Sequence, residues 1–363
     1  MAIDVEKVEG EIDYDKVIKE FGVEPIEALK PKLKKLEEIS LLYRRGIIFA
    51  HRDLNKILDA IEKKENFAVL TGFNPSAPLH FGNKMFIDQA IAFQRLGGKV
   101  YIPLSDDETY VFGKSNSLEE ARERAYSLIP KILALGLDVN KTKVFVSSTC
   151  KYVYPLAVKL SRKTTLSTIK AIFGFNDSDN PGKFFYGVVQ AAHILLPQIE
   201  ELEGRVPTVV PIGIDQDPYI RLARDLAEKL NFEKPSSTNH FFMRGLRGGK
   251  MSGSKKESAI FLDDSLEIVK EKIMNALTGG APSREEQRKF GGKPERCVVF
   301  EYFKFHLVED DERLRKIYSE CREGKRVCGD CKQECFEMLA KFLESYRERV
   351  EKAKDMVGKV LLE

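Results

Sequence analysis

The sequence predicts a doubly wound α/β domain followed by a helical one, and three observations carry that reading. Residues 67–104 read as one strand–helix–strand unit. Short apolar runs recur at 143–147, 208–212 and 259–262, with helical patterns between them. Beyond Asp263 the pattern turns almost wholly helical.

Taken in order, residues 1–60 are charged and read as an N-terminal helical extension, with the basic run Lys30-Pro31-Lys32-Leu33-Lys34-Lys35 as a solvated face. Phe67-Ala68-Val69-Leu70 is a short apolar strand ending at Thr71-Gly72. A helix follows from about Lys84, with Met85, Ile87, Ala90, Ile91 and Phe93 as its apolar face, and stops at Gly97-Gly98. Val100–Leu104 is the next strand, joined by a right-handed crossover. Strands are then expected at Lys143–Ser147, Thr208–Ile212 and Ala259–Leu262, and residues 110–190 read as an insertion between two halves of the sheet. Asp264 with Glu267 suggests a cap for the first helix of the C-terminal part. The divisions are 1–60, 61–263 and 264–363. The final helix, near Gln333–Leu362, carries Phe336, Leu339, Phe342, Leu343 and Tyr346 on one face, read as core.

Composition narrows the function. With 59 basic and 56 acidic residues the formal net charge is +3, so the chain as a whole is no strongly basic nucleic-acid binder and any basic surface is local. No apolar stretch reaches the length of a membrane span, and Met1–Lys7 lacks the apolar core of a signal peptide. The expected location is the cytoplasm. Four of six cysteines crowd between Cys321 and Cys335, which in a reducing compartment favours a metal or free thiols over disulfides.

Two stretches carry the chemistry. Pro75-Ser76-Ala77-Pro78-Leu79-His80-Phe81-Gly82-Asn83 leaves the first strand at the start of a helix, where free N–H groups attract phosphate, an imidazole donates and a glycine admits the ligand. Gly248-Gly249-Lys250-Met251-Ser252-Gly253-Ser254-Lys255-Lys256 is mobile and basic; it is no P-loop, because Met251 stands where Ser or Thr follows Gly-Lys. Singly, each also fits a structural cap or a solvated turn. Together they suggest a split ATP site closed by a mobile loop.

Jointly the two resemble the "HIGH" and "KMSKS" motifs of class I aminoacyl-tRNA synthetases. The likeness continues through Ser105-Asp106-Asp107-Glu108-Thr109-Tyr110, Ile172–Asp179, Val189-Gln190-Ala191-Ala192 and Gly213-Ile214-Asp215-Gln216-Asp217-Pro218-Tyr219, with Arg221 and Arg224 beyond. This collinear set is similar to the tryptophanyl branch of archaeal and eukaryotic type and covers nearly the whole chain. The resemblance implies a Rossmann-like catalytic domain, a C-terminal helical anticodon-binding domain and a homodimer. It implies ligation of L-tryptophan to tRNA(Trp) with ATP and Mg²⁺, by way of an adenylate. Tyrosyl-tRNA synthetase, of the same fold and motifs, is the enzymatic alternative, and a non-catalytic RNA-binding relative the other.

On the same basis His80, Asn83 and Lys250 are the expected catalytic residues. Gly72, Phe73, Pro75, Ser76, Gly82, Met251, Ser252 and Ser254 join them around ATP. Glu108, Gln190, Asp215 and Gln216 are expected at tryptophan, with Asp217 facing the ribose or the ammonium group. The sequence departs from the pattern at Asn83 and Gly253, and at Leu70 and Pro103, which stand where eukaryotic members carry a pocket tyrosine and glutamine. Cys297, Cys321, Cys328 and Cys331 are similar in layout to a four-cysteine iron–sulfur site of some bacterial members; an iron–sulfur cluster, Zn²⁺ and free thiols all remain open. Arg288–Arg296, basic with Phe290 at its centre, fits either an RNA contact or a charged loop.

Overall fold

A computed structural model describes residues 14–249, 251–253 and 255–363. Lys250 and Ser254, on which part of the expected nucleotide site falls, lie outside the described residues, as do residues 1–13. The centre is a seven-stranded sheet of β1 (Glu24–Pro25), β2 (Ile48–Arg52), β3 (Ala68–Leu70), β4 (Lys99–Leu104), β5 (Thr142–Val146), β6 (Thr208–Ile212) and β7 (Ser236–His240). Their spatial order is β1-β2-β7-β6-β3-β4-β5. The five strands from β7 to β5 run parallel, and β2 and β1 add antiparallel at one edge. Helices cover both faces, as a doubly wound sheet requires, because strands buried on both sides have no solvated face.

One face buries the helix Phe81–Arg95 through Phe81, Met85, Ile87, Ala90 and Phe93. The other buries the helices Val153–Ser161, Pro181–Leu195 and Asp217–Lys229. The C-terminal helices join the first of these cores. In the helix Cys328–Lys354, residues Cys335, Leu339, Leu343 and Tyr346 recur at spacings of three and four and are wholly buried. Phe342 reaches the Phe81 ring, 5.5 Å between centroids, so the last long helix packs on the helix whose start forms the phosphate motif.

The sheet departs from the expected one in three places. Ile48–Arg52, inside the segment read as helical, is a strand of the main sheet. Ser236–His240 is a fully buried strand although its sequence is Ser-Ser-Thr-Asn-His. Its backbone is carried by the ladder, and Gln89 takes up two of its side chains, accepting from Thr238 Oγ1 at 2.9 Å and bonding His240 Nδ1 at 3.2 Å, while Ser237 Oγ and the Asn239 amide are buried without a partner. Conversely, Ala259–Leu262 forms no strand. It is buried extended chain pinned beneath the phosphate motif by a single bridge, His80 with Phe261, and by the Leu262 N–H donating to Leu79 O. The helix Leu266–Met274 is capped by Ser265, not Asp264; the Asp264 carboxylate instead accepts from Phe261 N–H and Lys272. The C-terminal helix ends at Lys354, and Val357–Val360 is a separate short turn of helix.

Candidate active site

The C-terminal ends of β3, β4 and β6 open into one cleft of about 1250 Å³, the place where a doubly wound sheet binds ligands. Its first wall is the segment after β3. His80 is the N-cap of the helix Phe81–Arg95, in extended conformation, and its backbone N–H donates to Asn83 Oδ1 at 3.0 Å. That bond fixes Asn83 at the helix start beside the free N–H groups. Burial lowers the His80 pKa to about 4, so the imidazole is neutral at physiological pH, and its buried Nδ1 has no partner. A neutral ring with one N–H donates to phosphate without adding a proton to it.

The second motif closes over this ring. A Cβ at Gly253 would lie 3.0 Å from Ala77 Cβ and 3.8 Å from His80 Nε2; one at Gly82 would lie 2.9 Å from the imidazole and 3.4 Å from Met251 Sδ. The segment Met251–Gly253 therefore sits directly over His80; a side chain at Gly82 would press on the imidazole, and one at Gly253 would crowd Ala77. Segments 170 residues apart in the chain thus line one crevice.

The far end of the cleft holds the polar groups of the sheet's carboxyl edge. Glu108, in the first turn of the helix Asp106–Val111, Gln190 in the helix Pro181–Leu195, and Asp215 and Gln216 after β6 all line it. Burial raises the Glu108 pKa, opposed by the Lys114 ammonium. Leu70, Pro103, Ile194, Val210 and Ile212 give this end an apolar floor. Behind it, burial pushes Asp107 up to about 7, helped by the Asp106 charge; Tyr154 donates to Asp107 at 3.3 Å, and Ser147 Oγ lies 2.7 Å from His193 Nε2.

Of the residues expected around ATP, Gly72, Phe73, Ser76, His80, Gly82, Asn83, Met251 and Ser252 line the cleft. Pro75 does not; it is buried beneath the loop it shapes. Asp217 is also removed from the expected role. It is wholly buried at the start of the helix Asp217–Lys229 and takes a two-point bond from Arg52, at 2.7 and 2.8 Å. Lys255 and Lys256 of the second motif and Tyr219 of the Gly213–Tyr219 stretch line the cleft too, as do Asn74, Lys114 and His240, which were not singled out by the sequence.

With this geometry in place, the comparisons are direct. Residues 62–344 match the family model of class I tRNA synthetases for tryptophan and tyrosine (W and Y). The tryptophan–tRNA ligase of Methanocaldococcus jannaschii is 45% identical over 356 residues, 96% of this chain and 95% of that one. The chain belongs to the tryptophanyl-tRNA synthetase family. Among solved structures, the tryptophanyl-tRNA synthetase of Aeropyrum pernix superposes with a TM-score of 0.89 at 41% identity, covering 99% of this chain and 97% of that one. The enzyme of Encephalitozoon cuniculi bound to tryptophan gives 0.87 at 31%, covering 97% and 98%.

The cysteine site that the resemblance to bacterial members of the family implied does not fit this synthetase fold as it stands. Cys297, Cys321, Cys328 and Cys331 do gather in one corner, within electrostatic reach of one another, and all are free thiols. Burial pushes Cys321 up to about 11 and Cys331 up to about 12, although the Arg326 guanidinium donates a hydrogen bond to Cys331. Among the described residues, no group of three or more His, Cys, Asp or Glu side chains could hold a metal ion. Nor do any of those residues form a helix long and apolar enough to cross a membrane.

Proposed function

We propose that this chain activates L-tryptophan with ATP and transfers it to tRNA(Trp). The observation that carries the reading is the single crevice shared by His80, the loop Met251–Gly253 and the polar group Glu108–Gln190–Gln216. A tryptophan carboxylate oxygen attacks the α-phosphorus of ATP, pyrophosphate leaves, and tryptophanyl-adenylate forms. The terminal ribose hydroxyl of tRNA then attacks the acyl carbon and AMP leaves. Neither step requires a protein nucleophile; the site acts by holding reactants in line and by donating to phosphate oxygens as charge builds.

In this reading His80 and Asn83 hold phosphate at the helix start. Lys250, assigned from the motif alone, meets the departing pyrophosphate, with Ser254 beside it, and Mg²⁺ enters with ATP as part of the substrate. Lys255 and Lys256, both facing the cleft, add positive charge. The apolar floor of Leu70, Pro103 and Val210 takes the indole; Glu108 and Gln190 take the ammonium group. Asp215 and Gln216 close the other side. Residues 264–363 bind the anticodon arm, where Phe290 is 70% exposed beside Arg288 and Lys289. A homodimer is supported by the exposed Val158, Leu166 and Phe185 on three helices that pack together. The expected place of action is the cytoplasm.

Amino-acid-dependent ATP–pyrophosphate exchange tests the reading. Exchange is expected with tryptophan and about 100-fold less with tyrosine, whose phenol hydroxyl has no partner on an apolar floor. Lys250→Ala is expected to slow it by about 100-fold or more with tryptophan affinity unchanged. Faster exchange with tyrosine, or none with any amino acid, contradicts the assignment.

A further inference from the structure

Glu301 has no part in the expected site and does not line the cleft. It belongs to the helix Val298–Tyr302, in the C-terminal helical part, and its side chain is 11% exposed. Both of its carboxylate oxygens are spent on one residue, Arg244, which stands just before the second motif. The Arg244 backbone N–H donates to Oε2 at 2.9 Å, and the Arg244 Nε donates to Oε1 at 2.6 Å. The same guanidinium donates to the carbonyl of Glu295, and the Glu295 carboxylate accepts from Tyr318 and Arg322 of the helix Asp311–Arg322. A second tie lies close by. Leu246 O accepts from Leu277 N–H at 2.7 Å, and Leu277 O accepts from Val298 N–H, the first residue of the helix that carries Glu301.

The grip on Arg244 reaches the phosphate site through a single peptide unit. The N–H held by Glu301 and the carbonyl of Met243 belong to the same planar group, in which the two point opposite ways. On its other side that carbonyl accepts from Met251 N–H at 3.1 Å. Met251 begins the segment that covers His80, so its backbone position is set from Glu301 through one rigid plane. Next in the chain come Gly248 and Gly249, with φ of +95° and +68°, where glycine is favoured and the backbone turns most easily. The entry to the loop is therefore fixed on the C-terminal helices, and its pivot follows the fixed point directly.

We propose that Glu301 is a positioning residue for the adenylate-forming step: by holding the Met243–Arg244 peptide, it sets Met251–Gly253 over His80 from outside the cleft. This role rests on the reading of the motif loop as the pyrophosphate side of the site. It gives the C-terminal helices a part in the chemistry that is separate from any contact with RNA. No group of Glu301 touches substrate, so its effect falls on the rate of the step and not on the binding of tryptophan.

The test variant is Glu301→Gln, which keeps the volume and one acceptor but turns an N–H₂ toward one of the two Arg244 donors. The maximal rate of ATP–pyrophosphate exchange is expected to fall about tenfold, since a loop displaced from its working position lowers the fraction of aligned complexes. Tryptophan affinity should stay within about twofold; the chain has no tryptophan of its own, so the fluorescence of the bound ligand reports it without protein background. Loop position is read separately by trypsin cleavage after the exposed Lys255 and Lys256. ATP with tryptophanamide, which has no carboxylate to activate, should slow that cleavage about tenfold in the wild type and less than about threefold in Glu301→Gln. An unchanged exchange rate overturns the proposal. So does a slower rate with full protection of the loop, or a loss of tryptophan affinity equal to the loss of rate, which would mark Glu301 as a support of the fold alone. Lys250→Ala separates this from the underlying reading. If it leaves exchange unchanged, the reading of the loop falls and the role of Glu301 with it; if it slows exchange while Glu301→Gln does not, only the role of Glu301 falls.

Discussion

His80→Ala is expected to lower the maximal rate of ATP–pyrophosphate exchange about 100-fold, the usual effect of removing one preorganised donor from a phosphoryl-transfer site. Tryptophan affinity should stay within about twofold, because the ring faces the motif loop while the amino-acid end is across the cleft. The reasoning depends on the protonation state. Burial depresses the imidazole pKa to about 4, so above roughly pH 5 the ring is neutral and its donor is already in place. The His80 ring should therefore contribute no titration near the ordinary histidine value, so His80→Asn and wild type should keep the same pH profile between 8 and 6. His80→Asn, which keeps a donor, should recover part of the loss. An unchanged rate in His80→Ala, or a matching loss of tryptophan affinity, would remove the ring from the transition state.

The largest effect on stability is expected at Arg52. Its side chain is 14% exposed and that of Asp217 not at all. The guanidinium makes two bonds to the carboxylate and two more to the carbonyls of Phe21 and Gly22. Arg52→Ala leaves Asp217 charged and buried, with the half-exposed Arg221 at 3.2 Å as remaining partner. Breaking such a pair from one side destabilises by about 3–5 kcal/mol, and Arg221 should hold the figure near 3. Chemical denaturation reads this as a lower midpoint at unchanged slope. Exchange should slow as well, since Asp217 directly follows the short turn Ile214–Gln216 that places Asp215 and Gln216 at the cleft. Arg52→Ala with Asp217→Asn removes the unpaired charge and should regain part of the stability. A double variant no more stable than the single would show that the carboxylate was not the source of the loss.

Asp217 also shows where reading the chain alone falls short. Its neighbours Asp215 and Gln216 reach the cleft, but a helix begins at Asp217, and that change of direction turns its carboxylate inward toward a strand 165 positions earlier. Ile48–Arg52 was hidden because its apolar residues sit among charged helical segments, and its pairing partner is distant. That partner, Ser236–His240, gives no apolar signal; its burial rests on pairing with two neighbouring strands and on Gln89, from the helix Phe81–Arg95, which takes up Thr238 and His240. Ala259–Leu262 misled in the opposite sense. Four apolar residues read as a strand, yet they serve as packing beneath His80. By contrast β3, β4, β5 and β6 were legible because strands buried on both faces are continuous apolar runs. The two nucleotide motifs were legible through their residue types and spacing.

The most direct measurement of the central claim is a crystal structure with a non-hydrolysable tryptophanyl-adenylate analogue. The account predicts the phosphate mimic within hydrogen-bond reach of the His80 imidazole and the N–H group at Gly82, with Met251–Gly253 closed over it. The indole lies on Leu70, Pro103 and Val210, and its amino group touches Glu108 and Gln190. An analogue bound outside this crevice, or bound in it with its phosphate mimic out of reach of the His80 imidazole, would contradict the account.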